Sequence, residues 1–362
     1  MKECKKCVMD ESDPLITFDD DDVCSRCAQW EKKWAKKLEL EHQFPTLIEH
    51  IKEVGRGREY DAVLGMSGGA DSSYVYHLAK QAGLRVHPIH FDNGYDLPVS
   101  VHNVRCLTDH YGDKVEVIKV DGPAFAAMQL AFLKSGTTGL EIPTDHAIKA
   151  ATYRVAKELG VSVILNGTNL ATESHGTPAW TQGHADWKYI SGVARRFGAD
   201  PDAIPHYTML NYLTWMQNYE WVSLLEYVPY HRAAAIELMH ERYWYEPYGF
   251  KHMESRITRF LHGYIIPRRF GWDTRRSRLS AMICSGQITR GDALDTLSRP
   301  AYPEEEMQRD KLILCRNLGI TEQHFEELMQ LPLRYFSDYP SYAKDMMNPP
   351  LRAVMWLWRH LR

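Results

Sequence analysis

The sequence predicts an α/β protein: a parallel sheet with helices on its faces, a small cysteine-rich module before it and a helical domain after it. Three observations predict this. Apolar runs of strand length alternate with amphipathic stretches between residues 61 and 166, the pattern of a parallel sheet with right-handed crossovers. One strand-to-helix junction carries a glycine turn, Ser67-Gly68-Gly69-Ala70-Asp71-Ser72. Four of the seven cysteines stand in two C-x2-C pairs near the N-terminus. The 362 residues suit two or three domains, set at 1–45, 46–200 and 201–362.

Composition narrows the class. An apolar share of 44% and a charged share of 25% are those of an ordinary globular protein, not a disordered or fibrous one. A net charge of −4 argues against a chain built to bind nucleic acid, leaving room only for a local basic patch. No apolar run is long enough to cross a membrane, and the start Met1-Lys2-Glu3-Cys4 is polar, so a cytoplasmic location without a membrane is expected. Most of the ten Trp lie at or beyond residue 180, which suits a packed helical core better than a stacking surface.

From the N-terminus, Cys4, Cys7, Cys24 and Cys27 form C-x2-C-x16-C-x2-C. Two thiolates from each knuckle complete a tetrahedral shell that suits structural Zn²⁺; a set of four cysteines also suits an iron–sulfur cluster. The run Asp19-Asp20-Asp21-Asp22 lacks the alternation and the glycine of a calcium loop and reads as a solvated hairpin tip. Residues 30–40 have helical period and link this module to the sheet domain.

Strands are expected at 61–66, 85–91, 114–120 and 161–166, and helices at 72–82, 98–111, 123–134 and 145–159. The turn after the first strand aims backbone N–H groups and a positive helix end at an anion. Gly68 and Gly69 let the backbone approach it, and Ser67, Ser72 and Ser73 offer hydroxyls. Asp71 beside phosphates requires a cation between them, which marks it as a Mg²⁺ contact. No Lys follows the glycines, so this is not the G-x-x-x-x-G-K-[ST] loop.

In parallel sheets ligands bind beyond the C-terminal strand ends. Two further loops belong there: His90-Phe91-Asp92-Asn93-Gly94, and Asn166-Gly167-Thr168-Asn169 with Glu173-Ser174-His175-Gly176. Before the helix at 145–159, Thr144 or Asp145 would cap it, or Glu141, Asp145 or His146 would face a substrate; both readings stand. Lys149 and Arg154 likewise reach phosphates or stay solvated.

Beyond residue 200 the β pattern disappears. Helices are expected at 209–225, 233–243, 252–263, 273–284, 289–297, 304–318 and 321–331, with a docked helix at 347–362. Two polar strings stand out: Lys251 to Arg259, and Asp273 to Ser280 running into 283–290. Arg forks suit phosphate and carboxylate, but residue chemistry alone makes these helix faces and interhelical salt bridges.

The S-G-G-x-D-S string resembles the PP-loop of the ATP pyrophosphatase (adenine nucleotide alpha hydrolase-like) superfamily. That resemblance implies cleavage between the α and β phosphates of ATP, with AMP transferred to a substrate oxygen. The order of strings is more specific: paired cysteines, S-G-G-x-D-S, N-G-T-N, K-H-x-E-S-R-x-T-R, D-x-R-R-x-x-x-S and S-G-Q-x-T-R-x-x-A-L. It resembles, over nearly the whole chain, the N-acetyl sugar amidotransferases of bacterial surface-polysaccharide (lipopolysaccharide, O-antigen) synthesis. The implied reaction adenylates the acetamido oxygen of an N-acetylated, nucleotide-linked sugar; ammonia then displaces AMP and leaves an acetamidino group.

The resemblance implies that Ser67, Asp71 and Ser72 act in catalysis. ATP and Mg²⁺ would lie against Met66, Ser67, Gly68, Gly69, Asp71, Ser72, Ser73, Phe91, Asp92, Asn93, Gly94, Asn166, Gly167 and Thr168. Glu141, Asp145, Lys251, Arg256, Arg275 and Arg276 would face the sugar. The family pattern has His at position 277 or 278, where this chain has Ser277 and Arg278; if that side chain touches substrate, the sugar preference differs. No cysteine stands at position 2, and Cys106, Cys284 and Cys315 lack a nucleophile elbow, so a separate glutaminase subunit is expected to supply ammonia. The rival within the superfamily is a tRNA-modifying enzyme of the thiolation or lysidine type. The lone Cys106 in the nucleotide domain and the acidic charge balance count against it.

Overall fold

Alternate residues of the first strand serve opposite layers. In the computed structural model, which describes residues 1–249 and 253–346, five strands form one parallel sheet: β1 (Ala62–Gly65), β2 (Val86–Asp92), β3 (Glu116–Lys119), β4 (Val163–Asn166) and β5 (Glu220–Ser223). Their order is β3-β2-β1-β4-β5. In β1, Ala62 and Leu64 face a layer built from the helices Phe44–Val54, Ala70–Gln81, Pro98–Tyr111 and Arg232–Tyr243. Val63 faces the opposite layer with Ile89, Ile118 and Ile164, covered by the helix Ile142–Glu158. Burial on both faces explains why β1 and β4 read as unbroken apolar runs.

The chain leaves β1 toward β2 but later places β4 on the other side of β1, paired Leu64 to Leu165. That reversal opens a crevice above the C-terminal ends of β1 and β4.

The fifth strand overturns the expectation of one helix at 209–225 and of no β structure beyond residue 200. The helix Met209–Asn218 stops at Tyr219, and Glu220 N–H donates to Ser162 O at 2.8 Å to open a ladder with β4. Trp215 stacks on Tyr153 at 4.2 Å, and the Trp221 indole N–H donates to the Tyr153 hydroxyl. Val222 is buried in the same core as Leu165.

The C-terminal helices form a second core around Phe260, Leu261, Tyr264, Leu314 and Phe325, joined to the sheet domain through Tyr95, Leu133 and Leu140. The helix expected at 252–263 starts at Arg256 and continues to Phe270 through a π-helical turn, Leu261–Ile265. At its middle, Gly263 lies so close to Tyr302 that a Cβ would fall 2.7 Å from the ring. Lys251, His252 and the helix expected at 347–362 lie outside the described residues.

The N-terminal module docks on this C-terminal region. Arg276 pairs with Asp10 at 2.9 Å and with Glu3 at 2.7 Å, and Arg290 donates to Cys7 O at 2.9 Å. Val8 is buried with Leu279 and Ala293. Among the described residues no helix is long and apolar enough to cross a membrane.

Candidate active site

The glycine turn follows β1 and opens the helix Ala70–Gln81. Gly68 has φ +77°, and a Cβ there would lie 2.2 Å from Ser100 O, so only glycine fits. The loop after β4 packs tightly on the turn: a Cβ on Gly167 would lie 3.0 Å from Ser72 N. The turn's N–H groups are bonded to hydroxyls. Ser67 N–H donates to Ser72 Oγ at 3.3 Å, Gly69 N–H to Ser67 Oγ at 3.1 Å and Ala70 N–H to Tyr248 Oη at 3.2 Å. Hydroxyl acceptors of this kind are replaceable by phosphate oxygens.

A cavity of about 520 Å³ lies beside the turn, within the usual size of a small-molecule site. Met66 and Ser67 line one side, and His90, Phe91 and Asn93 line the end of β2. Glu141, Asp145 and His184 form another wall, and Glu173, Gly176, Thr177 and Trp180 a third. The C-terminal region closes it with Glu254, Ser255, Thr258, His262, Ser277 and Arg278. A short antiparallel bridge between Asp96 and Ser255 brings that region over the turn, with Leu97 N–H donating to Glu254 O at 3.1 Å. Ser67 Oγ in turn donates to Glu254 Oε1 at 3.3 Å.

Burial and neighbouring charges shift four titratable groups of the cavity. Burial pushes the Glu141 carboxyl up to about 8, with the Asp145 and Glu254 carboxylates adding to it. Thr258 Oγ1 donates to Glu141 Oε1 at 3.0 Å, which offsets part of that rise. Burial opposes charge on His90, but Asp96, 2.8 Å from Nε2, outweighs it and raises its pKa. His90 Nδ1 donates to Met66 O at 2.7 Å, so both ring nitrogens face acceptors. His184 behaves alike: burial opposes its charge, and Asp145 at 2.8 Å wins and raises it. Burial, helped by Arg278, lowers His262 to about 3 and keeps it neutral.

Of the residues predicted from sequence, the structure brings Met66, Ser67, Phe91, Asn93, Glu141 and Asp145 to the cavity wall. Gly68, Gly69, Ser72, Gly167 and Thr168 do not line it, although Gly167 packs on the turn that does. Asp71 is buried at the start of its helix and accepts from the Tyr230 hydroxyl. Ser73 is fully buried on the core side of that helix, away from the turn's mouth. Asp92 turns back to accept from Gly94 N–H at 2.9 Å, and Asn166 accepts from Ser223 Oγ at 3.0 Å.

Three arginines expected at the sugar are held elsewhere. Arg256 pairs with the buried Asp310 at 3.2 Å. Arg275 is tied to Asp273 at 2.7 Å and to the carbonyls of Thr296, Leu297 and Arg299. Arg276 fixes the N-terminal module. Sequence reasoning missed Glu254, Thr258 and His262 as cavity residues. Glu254 and Thr258 stand in the K-H-x-E-S-R-x-T-R string, which was the available signal. Ser277 and Arg278, where the family pattern departs, both reach the wall.

Away from the cavity, Cys4, Cys7, Cys24 and Cys27 are buried with their sulfurs within 4.8 Å of one another, a set that could hold a metal ion. Cys7 and Cys24 N–H groups donate to Cys4 Sγ at 3.4 and 3.2 Å, as in a thiolate knuckle. The sulfurs of Cys7 and Cys24 stand 3.7 Å apart, those of Cys24 and Cys27 3.7 Å, and those of Cys4 and Cys27 4.0 Å.

Residues 254–351 match the family described as "LPS biosynthesis protein WbpG-like, C-terminal domain". A search of curated proteins returns no match. Similar solved structures include NMN synthetase from Francisella tularensis, at 13% identity and a TM-score of 0.35, covering 83% of this chain and 98% of that one. They also include NH3-dependent NAD synthetase from Campylobacter jejuni, at 15% identity and a TM-score of 0.31, covering 59% of this chain and 99% of that one.

Proposed function

From the match of residues 254–351 to the WbpG-like lipopolysaccharide-biosynthesis family, we propose an ATP-dependent amidotransferase acting on an N-acetylated, nucleotide-linked sugar. One observation carries this reading: the glycine turn and the matched region close a single cavity, with Ser67 bonded to Glu254.

The chemistry must overcome an amide carbonyl, a poor electrophile with a poor leaving oxygen. Ser67, Ser72 and the turn's N–H groups would grip the polyphosphate of ATP. The carboxylates of Asp71 and Glu254 beside the turn suit a divalent cation, and Mg²⁺ bound with ATP would supply charge against the polyphosphate. The acetamido oxygen of the sugar attacks the α-phosphorus of ATP, and pyrophosphate leaves. Ammonia then adds to the activated carbon, and AMP leaves with the former amide oxygen. Glu141, protonated at neutral pH, would donate a hydrogen bond to the acetamido group and exchange protons during ammonia attack. The enclosing C-terminal wall would keep water from the adenylated intermediate. Ammonia would come from a separate glutaminase subunit, and the reaction would take place in the cytoplasm, where nucleotide sugars are made.

The test incubates the protein with ATP, Mg²⁺, ammonium and a panel of nucleotide-linked N-acetyl sugars and follows the sugar by mass spectrometry. The reading expects oxygen replaced by NH in one sugar, dependent on ammonium. An unchanged sugar across the panel, together with sulfur or lysine transfer to tRNA, would favour the tRNA-modifying rival.

A further inference from the structure

The thiol cluster extends beyond the four N-terminal cysteines. Cys27 Sγ lies 3.7 Å from Cys284 Sγ and 3.8 Å from His175 Nε2, and Cys284 Sγ lies 3.6 Å from His175 Nε2. These three residues come from the N-terminal module, the loop after β4 and the end of the helix Arg275–Cys284. A tetrahedral zinc ion, with bonds of about 2.3 Å to sulfur and about 2.05 Å to nitrogen, sets its ligand atoms roughly 3.6–3.8 Å apart. All three edges of the triangle have that length. The edges Cys7–Cys24 and Cys24–Cys27 have it too.

The histidine is oriented for ligation. His175 is fully buried, and its Nδ1 is engaged with Ser174 Oγ at 3.0 Å, which leaves Nε2 turned toward the two sulfurs. A polar group on the far ring nitrogen is the usual way a metal-binding imidazole is fixed. Charge points the same way. Four thiolates around one divalent cation keep a surplus of negative charge in a buried place; a second cation added with one more thiolate reduces it.

We propose that Cys27 bridges two metal ions. One is held by Cys4, Cys7, Cys24 and Cys27, and the second by Cys27, Cys284 and His175, with water as its fourth ligand. Thiolate and imidazole donors in tetrahedral spacing select zinc. The second ion positions the cavity wall rather than acting in the reaction. His175 stands between Glu173 and the lining residues Gly176, Thr177 and Trp180, so the ion ties that loop to both the N-terminal module and the C-terminal helices.

The experiment measures zinc per chain in the purified full-length protein by elemental mass spectrometry, for the wild type, Cys284→Ser and His175→Ala. The proposal expects two equivalents in the wild type and loss of one in each variant, with the circular-dichroism spectrum retained. A wild type holding one equivalent that both variants keep overturns it, as does iron with inorganic sulfide. Should the variants fail to fold, iodoacetamide labelling of the wild type decides. Cys284 is expected to be protected in the zinc-loaded protein and alkylated after chelation; equal labelling in both states overturns the proposal.

Discussion

Glu141 shows most plainly how single side chains set the chemistry of the cavity. Its carboxyl sits near 8 because burial and two neighbouring carboxylates disfavour the charged form. Between its unfolded value near 4.5 and about 8 the folded protein therefore binds more protons than the unfolded chain, so stability falls as pH rises through that window. If protonated Glu141 serves the reaction, kcat/KM falls above about pH 8, and Glu141→Gln removes that alkaline limb; a pH–rate profile checks this. Ser67 faces the cavity and holds the Glu254 carboxylate, so Ser67→Ala is expected to lower turnover about 100-fold, with little change in Tm. Arg259 is the contrasting case. It grips the buried Asp310 with two bonds, one of them from Nη2 at 2.9 Å. Arg259→Ala leaves that carboxylate to Arg256 and is expected to cost about 3–5 kcal/mol in urea unfolding. The two arginines share a string and a helix face, and sequence cannot separate such structural anchors from ligand contacts. What separates them is a buried partner some fifty positions away, at Asp310.

The element that organises the site is the turn between β1 and the helix Ala70–Gln81. Gly68→Ala combines a positive φ with a Cβ clash against the Ser100 backbone, so the turn must deform. The expected outcome is loss of ATP binding in calorimetry with a stability loss above about 1 kcal/mol. This turn was legible from residues 67–72 alone because its composition is dictated locally. The strands β1 and β4 were legible for the same reason, since burial on both faces leaves an unbroken apolar run. The strand β5 was not. It is four residues long at a sheet edge, with Glu220 and Trp221 exposed, and it continues a stretch of helical period. Only its pairing with β4 and the packing on Tyr153 decide its state. The π turn at Leu261–Ile265 was equally hidden, although it carries His262 to the cavity. Gly263 at its centre packs tightly against Tyr302, and no local residue pattern announces that contact.

At the scale of the whole molecule, the N-terminal module and the C-terminal helices clasp each other. Glu3 bonds Arg276 and Arg290, and Trp180 stacks with Trp272 beside the thiol cluster at a ring distance of 6.2 Å. Removing metal with a chelator is expected to release this clasp, seen as a shift in tryptophan fluorescence and faster proteolysis within the first forty residues. The C-x2-C pairs announced a thiol cluster that could hold a metal ion, but the module's docking surface was illegible because Glu3, Arg276 and Arg290 meet only after the helices pack. The cavity formed between these parts is where the proposed reaction would take place, with the glycine turn, proposed to hold ATP, facing a wall supplied by the region that matches the WbpG-like family. Phosphorus NMR of a reaction containing ATP, Mg²⁺, ammonium and the N-acetyl sugar nucleotide tests it most directly. The expected products are AMP and pyrophosphate, accumulating beyond one equivalent of enzyme only when both sugar and ammonium are present. ADP and inorganic phosphate as the products would contradict it.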